Sequence, residues 1–404
     1  MANRIDTIHV RNFRSLADVE VRLGDINVLF GRNGAGKSSF LDTVWFARDC
    51  AVRSVELASS ARSHGIGLLY DGAPEDALLE LTLISGPATY ELRFGLSSGR
   101  IEPFPGEKLT LTNQDLTLID RAVGMDKVSF HQKQVEAMTV TLREPQKLSL
   151  TRYVDSVNQP PPEAEEMDRV LRFVHKWDAR RFYLGPIKMK GSESSHETHL
   201  WDFGGNLWSV LRNLRDKAAL DSRYETIMRY MREAFPSSFE DVVLESTGPT
   251  TVYGSFLEKD RRKPILASGV SDGHLQTLLL LTALFSEGDS RGSLMLFDEP
   301  EISLHPWAIA VIARAMREAA TEWNKQILLA THSPVLLSQF EPEAILVCEP
   351  IDGRTTIRRV SEVEEVIELL KDYTVGSLYM SEALAPQGPA PFAQPAGEGG
   401  GHAK

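Results

Sequence analysis

GRNGAGKS, Gly31 to Ser38, fits the spacing G-x-x-x-x-G-K-[ST] and decides how the chain is read. The apolar run Ile26, Val28, Leu29, Phe30 precedes it and the helix-compatible run Ser39 to Ala47 follows it. Strand, glycine-rich loop and helix N-terminus therefore occur in the order that a phosphate-binding Walker A loop requires. Gly31, Gly34 and Gly36 let backbone N–H groups close around phosphate oxygens, with Asn33, Ala35 and Ser39 as the other cradle positions. Lys37 is expected to reach the β- and γ-phosphates, and Ser38 to ligand Mg²⁺.

A second element lies far downstream. In LMLFDEP the residues Leu294 to Phe297 read as a buried strand ending in Asp298 and Glu299, the pattern of a Walker B element. Asp298 would hold Mg²⁺, and Glu299 would orient and polarise an attacking water. ATP and Mg²⁺ are the cofactors that this pair of motifs predicts.

Composition sets the frame around these motifs. At 404 residues, 42% hydrophobic and 25% charged, the chain can bury a large core. Cys50 and Cys348 form no metal or disulfide pattern, and the N-terminus lacks a signal-like apolar core, so a cytoplasmic protein is expected. The apolar run Leu278 to Phe285 is too short to span a bilayer, so no membrane partner is expected. A net charge of −12 argues against generic coating of nucleic acid.

Along the chain, Ile8 and Val10, then Val19, Val21 and Leu23, alternate as two strands of a small antiparallel sheet. Residues 51–158 read mostly as short strands and turns. The Pro-rich stretch Gln159 to Glu166 suggests a boundary, followed by a helix over Met167 to Trp177. Further helices are expected around Leu207 to Leu214 and Tyr224 to Phe235. Residues 265–334 alternate strand and helix as in an α/β core. The expected organisation is an N-lobe over 1–158, a helical or insert region over 159–264, a C-lobe over 265–384 and a disordered tail over 385–404.

SDGH at Ser271 to His274, DEPEISLHP at Asp298 to Pro306 and THSP at Thr331 to Pro334 follow the Walker A loop in the order used by ABC-type ATPases. With RNFRSL at Arg11 to Leu16, the set resembles the RecF, SMC and OLD-type ATPases, most of all the stand-alone RecF/OLD-like group that includes phage-defence members. The resemblance implies an α/β ABC-type ATPase head: a RecA-like parallel sheet core, an N-terminal antiparallel β-subdomain and a helical lobe. It also implies a homodimer or higher homo-oligomer joined by ATP, in which Ser271 and Gly273 of one protomer close over nucleotide on the other. His332 matches the switch histidine, and Phe13 and Arg14 lie where the N-terminal turn approaches the nucleotide.

Two positions depart from the wider pattern: the signature is VSDGH instead of LSGGQ, and His305 stands where aspartate is usual. The resemblance implies ATP hydrolysis in DNA maintenance or phage defence. The alternative is an ATP-gated scaffold that sequesters or releases an effector. Too little chain follows Pro334 for a Toprim nuclease domain, so a nuclease or toxin effector is expected to be a separate polypeptide. A long coiled coil of the SMC kind is not in the pattern. A basic and aromatic strip, with Arg169, Arg172, Lys176, Arg180, Arg181, Lys188 and Lys190 among Phe173, Trp177, Phe182 and Tyr183, is a candidate track for DNA, although a helix face packed on one side and solvated on the other is the favoured reading.

Overall fold

In a computed structural model, residues 4–74, 76–132, 135–182, 184–218, 221–287, 293–381 and 383–384 are described; the tail expected over 385–404 lies outside them. A six-stranded sheet runs in the order Val174–Asp178, Ser293–Asp298, Lys325–Thr331, Ile26–Phe30, Ile345–Ile351, Arg354–Arg359. Its first five strands are parallel and the last is antiparallel. Because strand side chains alternate between faces, the same strands feed two cores. Leu29, Leu296 and Leu328 pack with the helix Lys37–Val52, while Val28, Phe297 and Leu329 pack with the helices that follow residue 206.

The first core is closed by an antiparallel sheet of eight strands that contains Thr7–Phe13 and Leu16–Arg22 near one edge and extends through Val135–Thr141. The small sheet expected from the first two strands is thus one end of a much larger one. Residues 51–158 supply its other strands, together with the helices Val55–Ser60 and Ser149–Ser156, which the strand-and-turn reading passed over. The second core carries the helices Leu207–Asp216, Arg223–Ala234, Asp272–Phe285 and Pro306–Glu322.

The segment after the Pro-rich stretch departs from expectation. The helix spans Pro162–Arg172, with proline in its first turn where a missing N–H costs nothing, and Val174–Asp178 is the edge strand beside Ser293–Asp298. Residues 159–264 also hold an antiparallel sheet, Phe239–Thr247 with Thr251–Glu258, alongside their helices. Among the described residues no helix is long and apolar enough to cross a membrane.

A buried charge cluster pins the helix Asp272–Phe285 to this sheet. Glu287, just past the helix, lies 2.7 Å from His175 Nε2 and 3.5 Å from Lys325 Nζ, at the starts of two parallel strands. Burial alone would raise the Glu287 carboxyl, but His175 and Lys325 outweigh it and hold the pKa at about 2. A depressed carboxyl contributes stability that is full above its unfolded value of 4.5 and is lost as pH falls toward about 2. Glu287→Gln leaves the fully buried Lys325 ammonium without this carboxylate, and should cost about 3 kcal/mol at neutral pH. Urea melts of both proteins from pH 7 to pH 3 check this: the gap should narrow with acid, and a gap that is constant or absent contradicts the assignment.

Candidate functional site

Three loops meet at the C-terminal ends of neighbouring parallel strands: Gly31–Gly36 after Phe30, Glu299–His305 after Asp298, and His332–Ser333 after Thr331. The first turns into the helix Lys37–Val52 through Gly36, whose φ of 98° belongs to the left-handed region. A Cβ on Gly36 would lie 2.2 Å from Thr355 Oγ1, and one on Gly31 would lie 2.1 Å from the Cys348 carbonyl oxygen. The loop is therefore held from behind by the last two strands of the sheet, which no reading of the motif alone supplies.

Lys37 is buried at the base of the loop, where Nζ donates to the carbonyls of Gly31 at 2.8 Å and Arg32 at 3.1 Å. Burial pulls its pKa below the usual lysine range, while the nearby acids Glu299, Asp298 and Glu301 oppose that pull. Ser38 Oγ donates to Asp298 Oδ1 at 3.2 Å, joining residues that are 260 positions apart. Asp298 is 3% exposed at its strand end. A hydroxyl and a buried carboxylate in contact form a hard oxygen pair. That suits Mg²⁺, which takes few protein ligands and keeps phosphate or water for the others. Of the remaining cradle positions, Ala35 is buried with its N–H on the Arg32 carbonyl, Ser39 is half-buried, and Asn33 and Gly34 are exposed at the loop tip.

Glu299 is held in an unusual backbone conformation, with φ of 50°, while its N–H donates to the Ala330 carbonyl at 2.8 Å. A non-glycine residue in this region stores strain of about 1–3 kcal/mol and persists only where its surroundings enforce it. The conformation brings Glu299 Oε1 to 3.8 Å from His332 Nε2.

Sequence reasoning missed Glu301. It is largely buried; its Oε1 accepts from Thr331 Oγ1 at 2.5 Å and from the His332 backbone N–H at 3.1 Å. Burial raises its pKa, and those two hydrogen bonds oppose the rise. Glu301 thus ties the Thr331–His332 loop to the loop after Asp298.

Ser38 and Asp298 line a cavity of about 300 Å³ together with charged groups, among them Arg14, Asp42, Arg62, Lys176 and Arg181. Arg14, with φ of 51°, places Nη2 2.9 Å from Asp42 Oδ2. Arg62 bonds the other Asp42 oxygen at 2.9 Å and Asp49 at 3.0 Å, so the arginines hold the buried acids of the helix Lys37–Val52. Burial would raise the Asp42 carboxyl, yet Arg62, Lys176 and Arg14 bring it below its usual value. Burial likewise lowers the Lys176 ammonium, against the pull of Asp42 and Asp298. Phe13, in contrast, is fully buried in the first core and takes no part in the cavity.

These placements break up the basic and aromatic strip. Trp177 and Phe182 are buried, Lys176 lines the cavity, and Lys188 donates to the Val270 carbonyl at 2.7 Å and to Asp272 at 2.6 Å. Lys176 and Lys188 are directed inward while Arg169, Arg172, Arg181 and Lys190 are exposed, and the segment offers no aromatic stacking face made by Trp177 and Phe182. Tyr183 lies outside the described residues.

Ser271 and Gly273 lie at the start of the helix Asp272–Phe285. Ser271 caps the helix Asp272–Phe285, and a Cβ on Gly273 would lie 2.8 Å from the carbonyl oxygen of Ser303 in the loop after Glu299. His305 caps the helix Pro306–Glu322, its Nδ1 accepting from the Trp307 N–H at 3.3 Å.

The family described as "AAA domain, putative AbiEii toxin, Type IV TA system" matches residues 139–338, and the family described as "AAA ATPase domain" matches residues 4–49. The Old nuclease of Escherichia phage P2 is 21% identical over 394 residues, covering 92% of this chain and 63% of that protein. The DNA replication and repair protein RecF of Shewanella loihica is 37% identical over 43 residues, covering 10% of this chain and 12% of that one. The chain thus spans less than two thirds of the length of these relatives. Among solved structures, an SMC head bound to the C-terminal winged-helix domain of ScpA superposes with a TM-score of 0.52 at 12% identity, covering 88% of this chain and 97% of that one, a likeness of fold.

Glu301→Ala removes the acceptor shared by Thr331 Oγ1 and the His332 N–H, a loss of about 1–3 kcal/mol of local stability. Amide hydrogen exchange at His332 should therefore quicken by roughly five- to 100-fold. Exchange at the parent rate would mean that Glu301 does not anchor this loop.

Proposed function

We propose that the chain, similar to ABC-type AAA-family ATPase domains of the RecF/OLD-like group, binds ATP with Mg²⁺, hydrolyses it and pairs with a second copy across the nucleotide. The observation that carries the reading is the meeting of Ser38 with Asp298 at 3.2 Å, with Lys37 in the glycine-rich loop and Glu299 one residue beyond.

In this reading the backbone N–H groups of Asn33 to Ser39 and the Lys37 ammonium bind the β- and γ-phosphates. Ser38 and Asp298 hold Mg²⁺, whose chemistry is to neutralise charge that develops on the phosphate oxygens. Glu299 orients a water for in-line attack and accepts its proton, and His332 senses the γ-phosphate from the neighbouring loop. Arg14, paired with Asp42, adds positive potential at the cavity wall. Ser271 and Gly273, at the N-terminal end of the helix Asp272–Phe285, would act on the nucleotide of a partner protomer.

The cycle of pairing and release would serve DNA maintenance or phage defence through a nuclease or toxin effector. The Old nuclease and RecF likenesses support that setting. DNA is a partner to be tested by stimulation of turnover.

Steady-state phosphate release with and without double-stranded DNA tests the reading. Glu299→Gln should lower turnover by about 100-fold or more while nucleotide binding persists. Lys37→Ala removes a charge-assisted contact of about 1.5–3 kcal/mol, so ATP affinity should fall roughly tenfold to 100-fold by fluorescence titration. Parent turnover equal to that of Glu299→Gln, with ATP still bound tightly, would favour the ATP-gated scaffold over the hydrolase.

A further inference from the structure

The histidine that ends the VSDGH segment sits in a hydrogen-bonded line, not on a bare helix face. His274 Nδ1 lies 2.6 Å from Ser271 Oγ, and its Nε2 lies 3.3 Å from Ser238 Oγ. The ring stacks on Phe235, with centroids 3.7 Å apart and planes at 16°, and meets the edge of Phe256. Two aromatic neighbours therefore fix the imidazole plane, and one ring nitrogen is delivered to the serine.

The donor and acceptor count at Ser271 gives this contact a consequence. Ser271 Oγ already accepts the His274 backbone N–H at 3.4 Å, which leaves one lone pair and one proton. With Nδ1 unprotonated, the serine proton points into the ring and a lone pair faces outward. With Nδ1 protonated, the ring donates, the second lone pair is filled, and the hydroxyl proton faces outward. Ser238 satisfies Nε2 in both arrangements, because a hydroxyl can donate or accept. An anion approaching the positive end of a 14-residue helix favours the second arrangement. Asp272 would repel that anion, but its carboxylate is bound by Lys188 Nζ at 2.6 Å.

We propose that His274 is the positioning residue of the signature segment: donating from Nδ1 to Ser271 Oγ, it turns the serine hydroxyl outward as a donor to a phosphate oxygen of nucleotide held by a second copy of the chain. The inference rests on the pairing of protomers proposed above. It accounts for a histidine where LSGGQ has glutamine: the imidazole supplies both the donor and the stacking surface that Phe235 offers.

The test uses the full chain with Glu299→Gln, so that ATP persists. Dimer formation with Mg-ATP is followed by sedimentation, and nucleotide affinity is titrated at protein concentrations where only the monomer is present. His274→Phe keeps the stack and removes both ring nitrogens, while His274→Asn keeps a donor near the Nδ1 position. The Phe variant should dimerise at least tenfold more weakly, with monomer affinity within twofold of the parent, and the Asn variant should recover most of the loss. Dimerisation of the Phe variant at parent strength overturns the proposal, as does an Asn variant as weak as Phe. If the Phe variant does not fold, the Asn variant decides: at near-parent strength it supports the role, and a tenfold loss removes it. A Glu299→Gln parent that stays monomeric with ATP removes the pairing itself, and this inference with it.

Discussion

The parallel pairing of Ile26–Phe30, Lys325–Thr331 and Ser293–Asp298 is the constraint on which the site depends. Parallel strands all end on the same edge, so the loops that leave them are delivered to one place however far apart they lie in the chain. Hydrogen-bond register then sets the details. Thr331 pairs with Phe30, and Ala330 with Asp298, which puts the start of the glycine-rich loop, the acid pair and His332 within one or two residues of a common line. A shift of one residue in either ladder would reverse which side chains face the helix Lys37–Val52, and Ser38 would lose Asp298. The two cores packed on opposite faces hold that register, because each of the three strands sends alternate apolar side chains into each.

Within this frame, the acids after the central strand are used differently. Glu301 is spent on structure, since Thr331 Oγ1 and the His332 N–H both bond one of its oxygens in a buried setting. Glu299 keeps a partly exposed carboxylate directed at the His332 ring, at the cost of a left-handed backbone. A change at His332 therefore reaches the acid pair by two routes, through its ring to Glu299 and through its backbone to Glu301. The strain at Glu299 and the anchoring by Glu301 belong together: a non-glycine residue at φ of 50° needs a loop that cannot relax, and Glu301 together with the Glu299 N–H joins that loop to its neighbour.

Much of this was legible in the sequence, and what escaped shares a physical character. Walker A, Walker B, SDGH and THSP are local patterns whose residues act through fixed spacing, and the helices around Leu207 and Tyr224 have clear 3.6-residue periodicity. The residues that escaped gain meaning only from distant neighbours. Arg62 is an ordinary arginine until the fold sets it against Asp42 and Asp49, and Lys176 belongs to a basic strip until its strand becomes an edge of the parallel sheet. The misread segment has a local cause as well. Pro161 and Pro162 look like a break, but proline is favoured where a helix begins, and the five residues Val174–Asp178 carry too few side chains for alternation to outweigh the preceding helical pattern.

The signature cluster shows how a departure from a motif can be a substitution of means. Its serine lies at the start of the helix Asp272–Phe285, whose far end is tied to the parallel sheet through Glu287, His175 and Lys325. Its glycine abuts the carbonyl of Ser303, in the loop that begins at Glu299. The segment is thus braced by both ends of the same strand layer, the starts through the charge cluster and the finish through the acid loop. A residue that orients Ser271 must do so without loosening that bracing. Phe235 and Phe256 hold the face and edge of the His274 ring, which leaves its nitrogens for hydrogen bonds. Both remain on polar work, Nε2 toward Ser238 and Nδ1 toward Ser271. A glutamine there would have to be fixed through its own amide, the same group needed by the serine; an imidazole separates the two tasks, with its face for packing and its edge for polarity.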